Sequence, residues 1–542
     1  MSASGQSFSD GGAAMLADLM EAVSRADRDR ALPLAARAEA AGLNHPLVLV
    51  LAAEAAEQRG EDARAAILLE RAAAQAPDQA ESWRRLAAVY GRLGRLERAR
   101  AAAERALALE PDATACLVAA GAAAFALGDL DVAAARYRQA AQGGSLEAIE
   151  GLAAISVRRG QAEPARDLAG RVLAAAPERV GPVFTLARAD LLDGDPAAAD
   201  RRMSGLMDGG KVGDSVRIAA LDLRADARDD LGQVDLAFAD YQARNALVAQ
   251  SNPPDPGVER PLDQARRLAH WFRGTDATEW RAAPATPGAA PRHAFLLGFP
   301  RSGTTLLEKA LASHPAAVSL EEIDCLGEAG RDLLAGPAQL SALARIDEAE
   351  ADRRRTLYWT RVRERLGEDL GGRTLVDKLP LHTLALPVIA KLFPDAVVLF
   401  ALRDPRDVVL SCFRRRFRQN AAMAEFLTLQ GAAEYYDAVM SLAGVYRARL
   451  PLELLEVRHE AVVAAFDEEV ARVLAALGLP WSDAVRGFAA RAAARPRTPS
   501  DLQLTGGLSS AGVGQWRRYA AQMAPVLPVI EPWAARWGYE KT

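Results

Sequence analysis

The residues best equipped for chemistry lie between His293 and Leu307. Gly298, Gly303 and Thr305 fill the outer frame of a phosphate loop, G-x-x-x-x-G-K-[ST], and Thr304 takes the place of its lysine. A cation enters the loop instead as Arg301. Backbone N–H groups of Arg301, Ser302, Gly303, Thr304 and Thr305 can converge on a phosphate at the start of a following helix, where the helix dipole adds to the attraction. Without the lysine that reaches terminal phosphates, the loop points away from nucleoside triphosphates. It suits a nucleotide with a different transferable group. An ordinary strand–turn–helix junction would leave the coincidence of both glycines and both threonines unexplained.

Four apolar runs must position these groups: 294–298 before Arg301, 374–376 before Lys378, 397–402 before Arg403, and 454–457 before Arg458. Their short, non-alternating character suits buried parallel strands. In an open α/β sheet, ligands sit at the carboxyl ends of such strands. Each run delivers a cation there, which favours one anionic ligand over scattered surface charge. In Arg403-Asp404-Pro405-Arg406-Asp407, a bend at Pro405 could bring Arg403 and Ser411, eight residues later, to one phosphate. An Arg–Asp pair at a helix start explains that spacing as well. Glu321-Glu322-Ile323-Asp324 reads, on its own, as a solvated acidic patch.

Taken together, Phe299-Pro300-Arg301-Ser302-Gly303-Thr304-Thr305-Leu306 and Leu402-Arg403-Asp404-Pro405-Arg406-Asp407 with Ser411 resemble the sulfotransferase family. Its members transfer a sulfuryl group from 3′-phosphoadenosine-5′-phosphosulfate. The resemblance spans roughly 291–538. Through the arginine loop, Glu321-Glu322 and Lys378 it is most similar to the protein-tyrosine sulfotransferase branch. It implies that Ser302, Gly303, Thr304 and Thr305 bind the 5′-phosphosulfate, and that Arg403 and Ser411 hold the 3′-phosphate. It implies Arg301 as the cation facing the bridging oxygen, Lys378 as a second support of the leaving group, and Glu322, 21 residues after Arg301, as the catalytic base. Val457-Arg458-His459-Glu460 resembles a cofactor-binding Val-Arg-Tyr-Glu signature, with His459 in place of tyrosine. The segment from Arg497 to Tyr519 resembles a lid, but Gly506-Gly507 stands where the family has a Lys-Pro or Gln-Pro pair.

These residue types suit the implied reaction. Sulfuryl transfer leaves negative charge on a phosphate oxygen, which Arg301 and Lys378 can stabilise, one positioned donor contributing about 3 kcal/mol. No metal is expected. The acceptor hydroxyl must lose a proton, and a carboxylate such as Glu322 can take it for a factor of ~10²–10⁴. Protein tyrosine, a saccharide hydroxyl and a small phenol remain open as acceptors. Two other readings compete: a repeat scaffold that binds nucleotide without turnover, and a phosphate-loop kinase with Asp377 or Asp404 on a metal. The missing loop lysine opposes the kinase. Among the histidines, His45 falls in a repeat loop, His270 on a linker helix, His314 at a helix end and His382 at a helix start. None has metal-ligand spacing.

The N-terminal half is a different object. Gly60, Gly94, Gly128, Gly160 and Gly194 recur at about 34 residues, the tetratricopeptide period. Trp83, Leu86, Tyr90, Gly94, Ala99, Ala103, Ala106 and Pro111 follow that pattern through one unit, and Pro77 and Pro177 close others in phase. A last degenerate unit holds Gly232, Ala237 and Tyr241. The expected fold is an α-helical tetratricopeptide solenoid over 1–250, a Pro-rich linker over 251–290, and a parallel-sheet, phosphate-loop-like sulfotransferase domain over 291–542. Such arrays bind a protein or peptide in their groove. A rigid spacer or dimerisation arm is the plainer reading, so a homodimer stands among the expected assemblies.

Composition excludes several classes. With 542 residues, a net charge of −5 and no apolar run long enough to span a bilayer, nucleic-acid binding and a membrane span are not expected. Cys116, Cys325 and Cys412 are few and scattered, which fits a reducing compartment. Together with an N-terminus lacking a signal-like apolar stretch, this points to the cytoplasm. Lysine is almost replaced by arginine: only Lys211, Lys309, Lys378, Lys391 and Lys541 occur.

Overall fold

The structure is a computed structural model that describes residues 10–210, 212–280, 292–367, 369–494, 504 and 506–539. The chain forms two compact units, Met1–Arg202 and Met203–Thr542.

The first unit is a solenoid of helical hairpins. Pro46–Gln58 packs on Asp62–Gln75, Ala80–Arg92 on Leu96–Leu109, Thr114–Ala126 on Leu130–Gln142, and Leu146–Arg158 on Ala162–Ala175. The phase glycine makes each turn. At Gly94 the backbone is left-handed, with φ 64°, and Arg95 N–H returns to Tyr90 O at 2.8 Å. A side chain there would be strained, whereas glycine is not. Ala99, Ala103 and Ala106 are buried and let the paired helices approach closely. Successive hairpins are also joined by charge, as where Arg85 bridges Glu54 at 2.6 Å and Glu57 at 2.8 Å.

The second unit opens with one more helical pair, Asp214–Asp230 and Val234–Ser251, turned at Gly232 and packed through Ala237 and Tyr241. The segment 251–290 holds more than proline-rich chain. Its helix Pro261–Arg273 buries Leu262, Ala265, Leu268, Ala269 and Phe272 in the main core, where it lies on the helix Leu429–Arg449. Phe272 meets Tyr446 edge-on at 4.9 Å, and Trp280 is fully buried beside it. Pro284, Pro287 and Pro291 lie outside the described residues.

This packing makes a prediction about boundaries. A fragment starting at residue 203 is expected to unfold cooperatively, whereas one starting at 291 should not. Leu262, Leu268, Phe272 and Trp280 are each worth about 1.5–3 kcal/mol, against a typical domain stability of about 5–15 kcal/mol. Thermal melts followed by circular dichroism would decide. A soluble 291–542 fragment with a sharp transition would contradict the expectation.

Five parallel strands form the sheet, in the order β2-β3-β1-β4-β5: β1 His293–Gly298, β2 Ala317–Ser319, β3 Thr374–Lys378, β4 Val397–Leu402 and β5 Leu454–Arg458. The four apolar runs are β1, β3, β4 and β5. β2, three residues long at an edge, is too short to leave a periodic signal. β1 is central, pairing Phe295 with Asp377 on one side and Val398 on the other. Every residue of β1 is buried, as expected for a strand covered on both faces. No helix among the described residues is long and apolar enough to cross a membrane.

Candidate active site

The carboxyl ends of β1, β3, β4 and β5 open on a cleft of about 1120 Å³. Arg301, Gly303, Thr304, Thr305, Glu322, Arg403, Ser411 and His459 all line it. Ser302 and Lys378 do not, and both are almost fully buried.

The loop after β1 turns tightly because Ser302 N–H donates back to Phe299 O at 3.1 Å. Arg301 is left-handed at φ 72° without being glycine, a conformation that usually marks a functional constraint. Gly303 caps the helix Thr304–Ser313 at φ 90°. A Cβ at Gly303 would come within 2.6 Å of His459 Nδ1, so the position needs glycine for room as well as for conformation. Arg301 Nε donates to Ser411 Oγ at 2.9 Å, across the cleft floor. Burial first, then the cations of Arg415 and Arg403, pulls the Arg301 guanidinium down to about 10.

Arg403 follows β4. Its Nη1 donates to Arg301 O at 3.1 Å and its Nη2 to Gly512 O, while its Nε is buried with no hydrogen-bond partner. His459 opens the helix after β5. Burial, then Arg403 and Arg301, lowers its imidazole to about 3, so the ring is neutral. Its Nδ1 also lacks a partner. The helix Pro405–Arg414 starts on an Asp404 cap, whose carboxylate accepts from Arg406 N–H at 2.9 Å. Asp407 on that helix accepts from Gly514 N–H at 2.6 Å and Trp516 N–H at 2.9 Å. These bonds fasten a strap over 506–519, of which Gly507, Leu508, Gly512 and Gln515 line the cleft. Arg497 and its immediate neighbours, expected in the lid, lie outside the described residues.

Glu321 and Glu322 extend the β2 side. Both are left-handed, at φ 51° and 65°. Glu322 N–H donates to Lys378 O at 3.1 Å, continuing the β2–β3 pairing past Ser319. The Glu322 side chain is 38 % exposed to the cleft, and its Oε1 lies 2.5 Å from Lys378 Nζ. Lys378 sits behind it and also reaches Glu308 Oε2 at 3.0 Å. Burial alone would lower the Lys378 ammonium, but the carboxylates of Glu308 and Glu322 more than reverse this and raise it. Glu321 is turned away and pairs with Lys309 at 3.0 Å.

Several groups escaped sequence reading. Glu308 is fully buried, held above the usual carboxylate range by burial, and accepts from Ser319 Oγ. In sequence it is one half of a Glu308-Lys309 pair on a short helix, which reads as an ordinary solvated charge pair. His382 does lie in a short helical turn, Pro380–Ala385, but it also lines the cleft, with Nε2 3.1 Å from Asp324 Oδ1. Burial would raise Asp324, but the His382 bond, the Gly327 N–H and Arg331 bring it down to about 2. Arg414, Arg415, Arg416 and Arg418 complete a cationic rim. Among the described residues, no three His, Cys, Asp or Glu side chains group as a metal site.

Residues 293–483 match the family model described as Sulfotransferase family. Over 214 residues the chain is 29% identical to nodulation protein NoeE of Sinorhizobium fredii (strain NBRC 101917 / NGR234), covering 35% of this chain and 50% of that protein. Over 253 residues it is 26% identical to an uncharacterized protein of Aquifex aeolicus (strain VF5), covering 44% and 32%. The matches thus span half or less of these relatives' own length. Among solved structures, the sulfotransferase domain of the Synechococcus PCC 7002 olefin synthase is similar at 21% identity and TM-score 0.32, over 48% of this chain and 99% of that one. A tetratricopeptide repeat protein from Parabacteroides merdae ATCC 43184 is similar at 16% identity and TM-score 0.37, over 44% and 94%.

Proposed function

Since the second unit contains a sulfotransferase-family domain, we propose that this chain moves a sulfuryl group from 3′-phosphoadenosine-5′-phosphosulfate to a hydroxyl acceptor, with protein tyrosine the first acceptor to test. The reading rests on two adjoining sets of donors that face one cleft from the ends of two strands: the Arg301–Thr305 loop after β1, and Arg403 with Ser411 after β4. One loop would serve a simple mononucleotide; two sets of donors suit a nucleotide phosphorylated at both ends. The buried Nε of Arg403 and Nδ1 of His459, each lacking a partner, fit a ligand that supplies oxygen atoms or a base edge.

The donor, when bound, supplies a sulfuryl group on a phosphate oxygen that gains negative charge as that bond breaks. Gly303, Thr304 and Thr305 hold the 5′ end, with Ser302 shaping the turn. Arg403 and Ser411 hold the 3′-phosphate, and His459 packs beside them as a neutral ring. Arg301 places its guanidinium against the leaving oxygen, fixed by its bond to Ser411. Glu322 takes the acceptor's proton. Lys378 keeps that carboxylate in place and adds positive charge behind the leaving group. The repeats recruit a protein or peptide that carries or accompanies the acceptor.

Calorimetry on the full chain tests the carrying observation. 3′-Phosphoadenosine-5′-phosphate is expected to bind at least roughly tenfold more tightly than adenosine-5′-phosphate, and Arg403→Ala should erase the difference. Equal affinity for both nucleotides in the unaltered protein would overturn the assignment of Arg403 and Ser411.

A further inference from the structure

The helix Pro405–Arg414 presents Ser411 in its last turn and follows directly on Arg403. The final carbonyls of any helix lack partners within it. Here two of them are taken by the helix Val234–Ser251. Arg244, fully buried, donates from Nη2 to Phe413 O at 3.1 Å and from Nη1 to Arg414 O at 2.9 Å. Asn245 Nδ2 adds a second bond to Phe413 O at 3.1 Å. A cation at this end of a helix also complements its dipole.

The partner helix Asp214–Asp230 holds the side chain that leaves that turn. Arg414, which lines the cleft, bonds through Nη2 to Asp229 Oδ2 and lies 5.3 Å and 4.9 Å from the rings of Tyr241 and Tyr519. The same Asp229 accepts from Tyr519 O–H at 2.7 Å and pairs with Arg518 at 3.0 Å. Tyr519 ends the short helix Gln515–Tyr519, whose Trp516 is tied to Asp407. One carboxylate outside the sheet therefore secures both the rim of the cleft and the strap across it. Burying charged groups such as Arg244 and Asp229 is weak support for stability, since apolar contacts of similar volume serve as well. It is better suited to setting geometry.

We infer that the helix pair Asp214–Asp230 and Val234–Ser251 braces the donor site from behind the residues that line it, with Arg244 and Asp229 as positioning residues for 3′-phosphate recognition. Arg244 fixes the turn that carries Ser411. Asp229 fixes Arg414 and the strap. The inference rests on the proposed donor.

The test uses the full-length protein with Arg244→Lys, which keeps the charge but cannot serve two carbonyls in the same way, and Asp229→Asn, which keeps the shape. Calorimetry would give affinities for 3′-phosphoadenosine-5′-phosphate and adenosine-5′-phosphate, with thermal melts alongside. In each folded variant the preference for the bisphosphate should fall at least roughly tenfold, the scale of one charge-assisted hydrogen bond, while affinity for the monophosphate stays within about twofold. If Arg244→Lys does not fold, the isosteric Asp229→Asn decides alone. Folded variants that keep the full preference overturn the inference and leave the donor reading intact. Unaltered protein without any preference overturns both.

Discussion

Glu322→Gln is expected to lower the rate of sulfuryl transfer by roughly 10²-fold or more while leaving donor affinity in place. The carboxylate reaches into the cleft from a left-handed backbone, and its N–H is tied to Lys378 O at 3.1 Å. Glutamine keeps the size and loses the ability to accept a proton. Phenols of lower pKa should lose less rate than tyrosine, because their protons need less help. Steady-state kinetics across a series of substituted phenols would show this as a steeper dependence on acceptor acidity. Near-normal turnover of the glutamine variant on the native acceptor would sink the assignment. Glu321 would not be a natural substitute, since, unlike Glu322, it does not line the cleft.

Lys378→Met should cost both transfer and stability, and the two losses should be separable. Removing the ammonium leaves Glu308 as a buried carboxylate without its cation, and breaking a buried pair in this way costs about 3–5 kcal/mol. Burial already holds Glu308 above its usual range despite Lys378. In the variant that elevation grows, so the folded state binds a proton more tightly than the unfolded chain does. Stability is then retained at acid pH, below the unfolded value, and lost as pH rises through the elevated folded value. Urea unfolding at a series of pH values should show the deficit widening toward neutrality. The double variant Glu308→Gln/Lys378→Met removes the stranded charge and should recover most of the stability but not the transfer. If it recovers both, Lys378 has only a scaffold role; a deficit that does not change with pH would contradict the account of Glu308.

The phosphate loop, the strand-end arginines and the repeat phase could be read from the chain because each concentrates its physical requirement in a short stretch. Gly94 must turn left-handed, Gly303 must leave room, and the runs forming β1 and β4 are apolar throughout. Glu308 could not be read, because its partners Ser319 and Lys378 arrive from two strands, β2 and β3. Asp229 and Arg244 look like ordinary charges on amphipathic helices. Their burial comes from the helix Pro405–Arg414, which lies far away in sequence. The helix Pro261–Arg273 was legible as a short helical patch around Ala265 to Phe272, but its burial in the main core was not, because the surface it packs on comes from distant chain. Lysine, scarce in this chain, marks interior positions: Lys309, Lys378 and Lys391, the three among the described residues, are all buried.

The contact between Gly303 and His459 has an evolutionary consequence. The two positions are 156 residues apart and follow β1 and β5, which are separated in the sheet by β4. The imidazole fills the volume that any side chain at 303 would need. A lineage that enlarged 303 would first have to shrink 459, and one that shrank 459 would open a void against the loop. Neither step is neutral alone, so the pair can change only through a costly intermediate. Exchange of one ring for another at 459 is the cheaper path, because it keeps the volume filled. The site can therefore vary the chemistry of that ring, neutral imidazole or phenol, while the glycine beneath it stays locked.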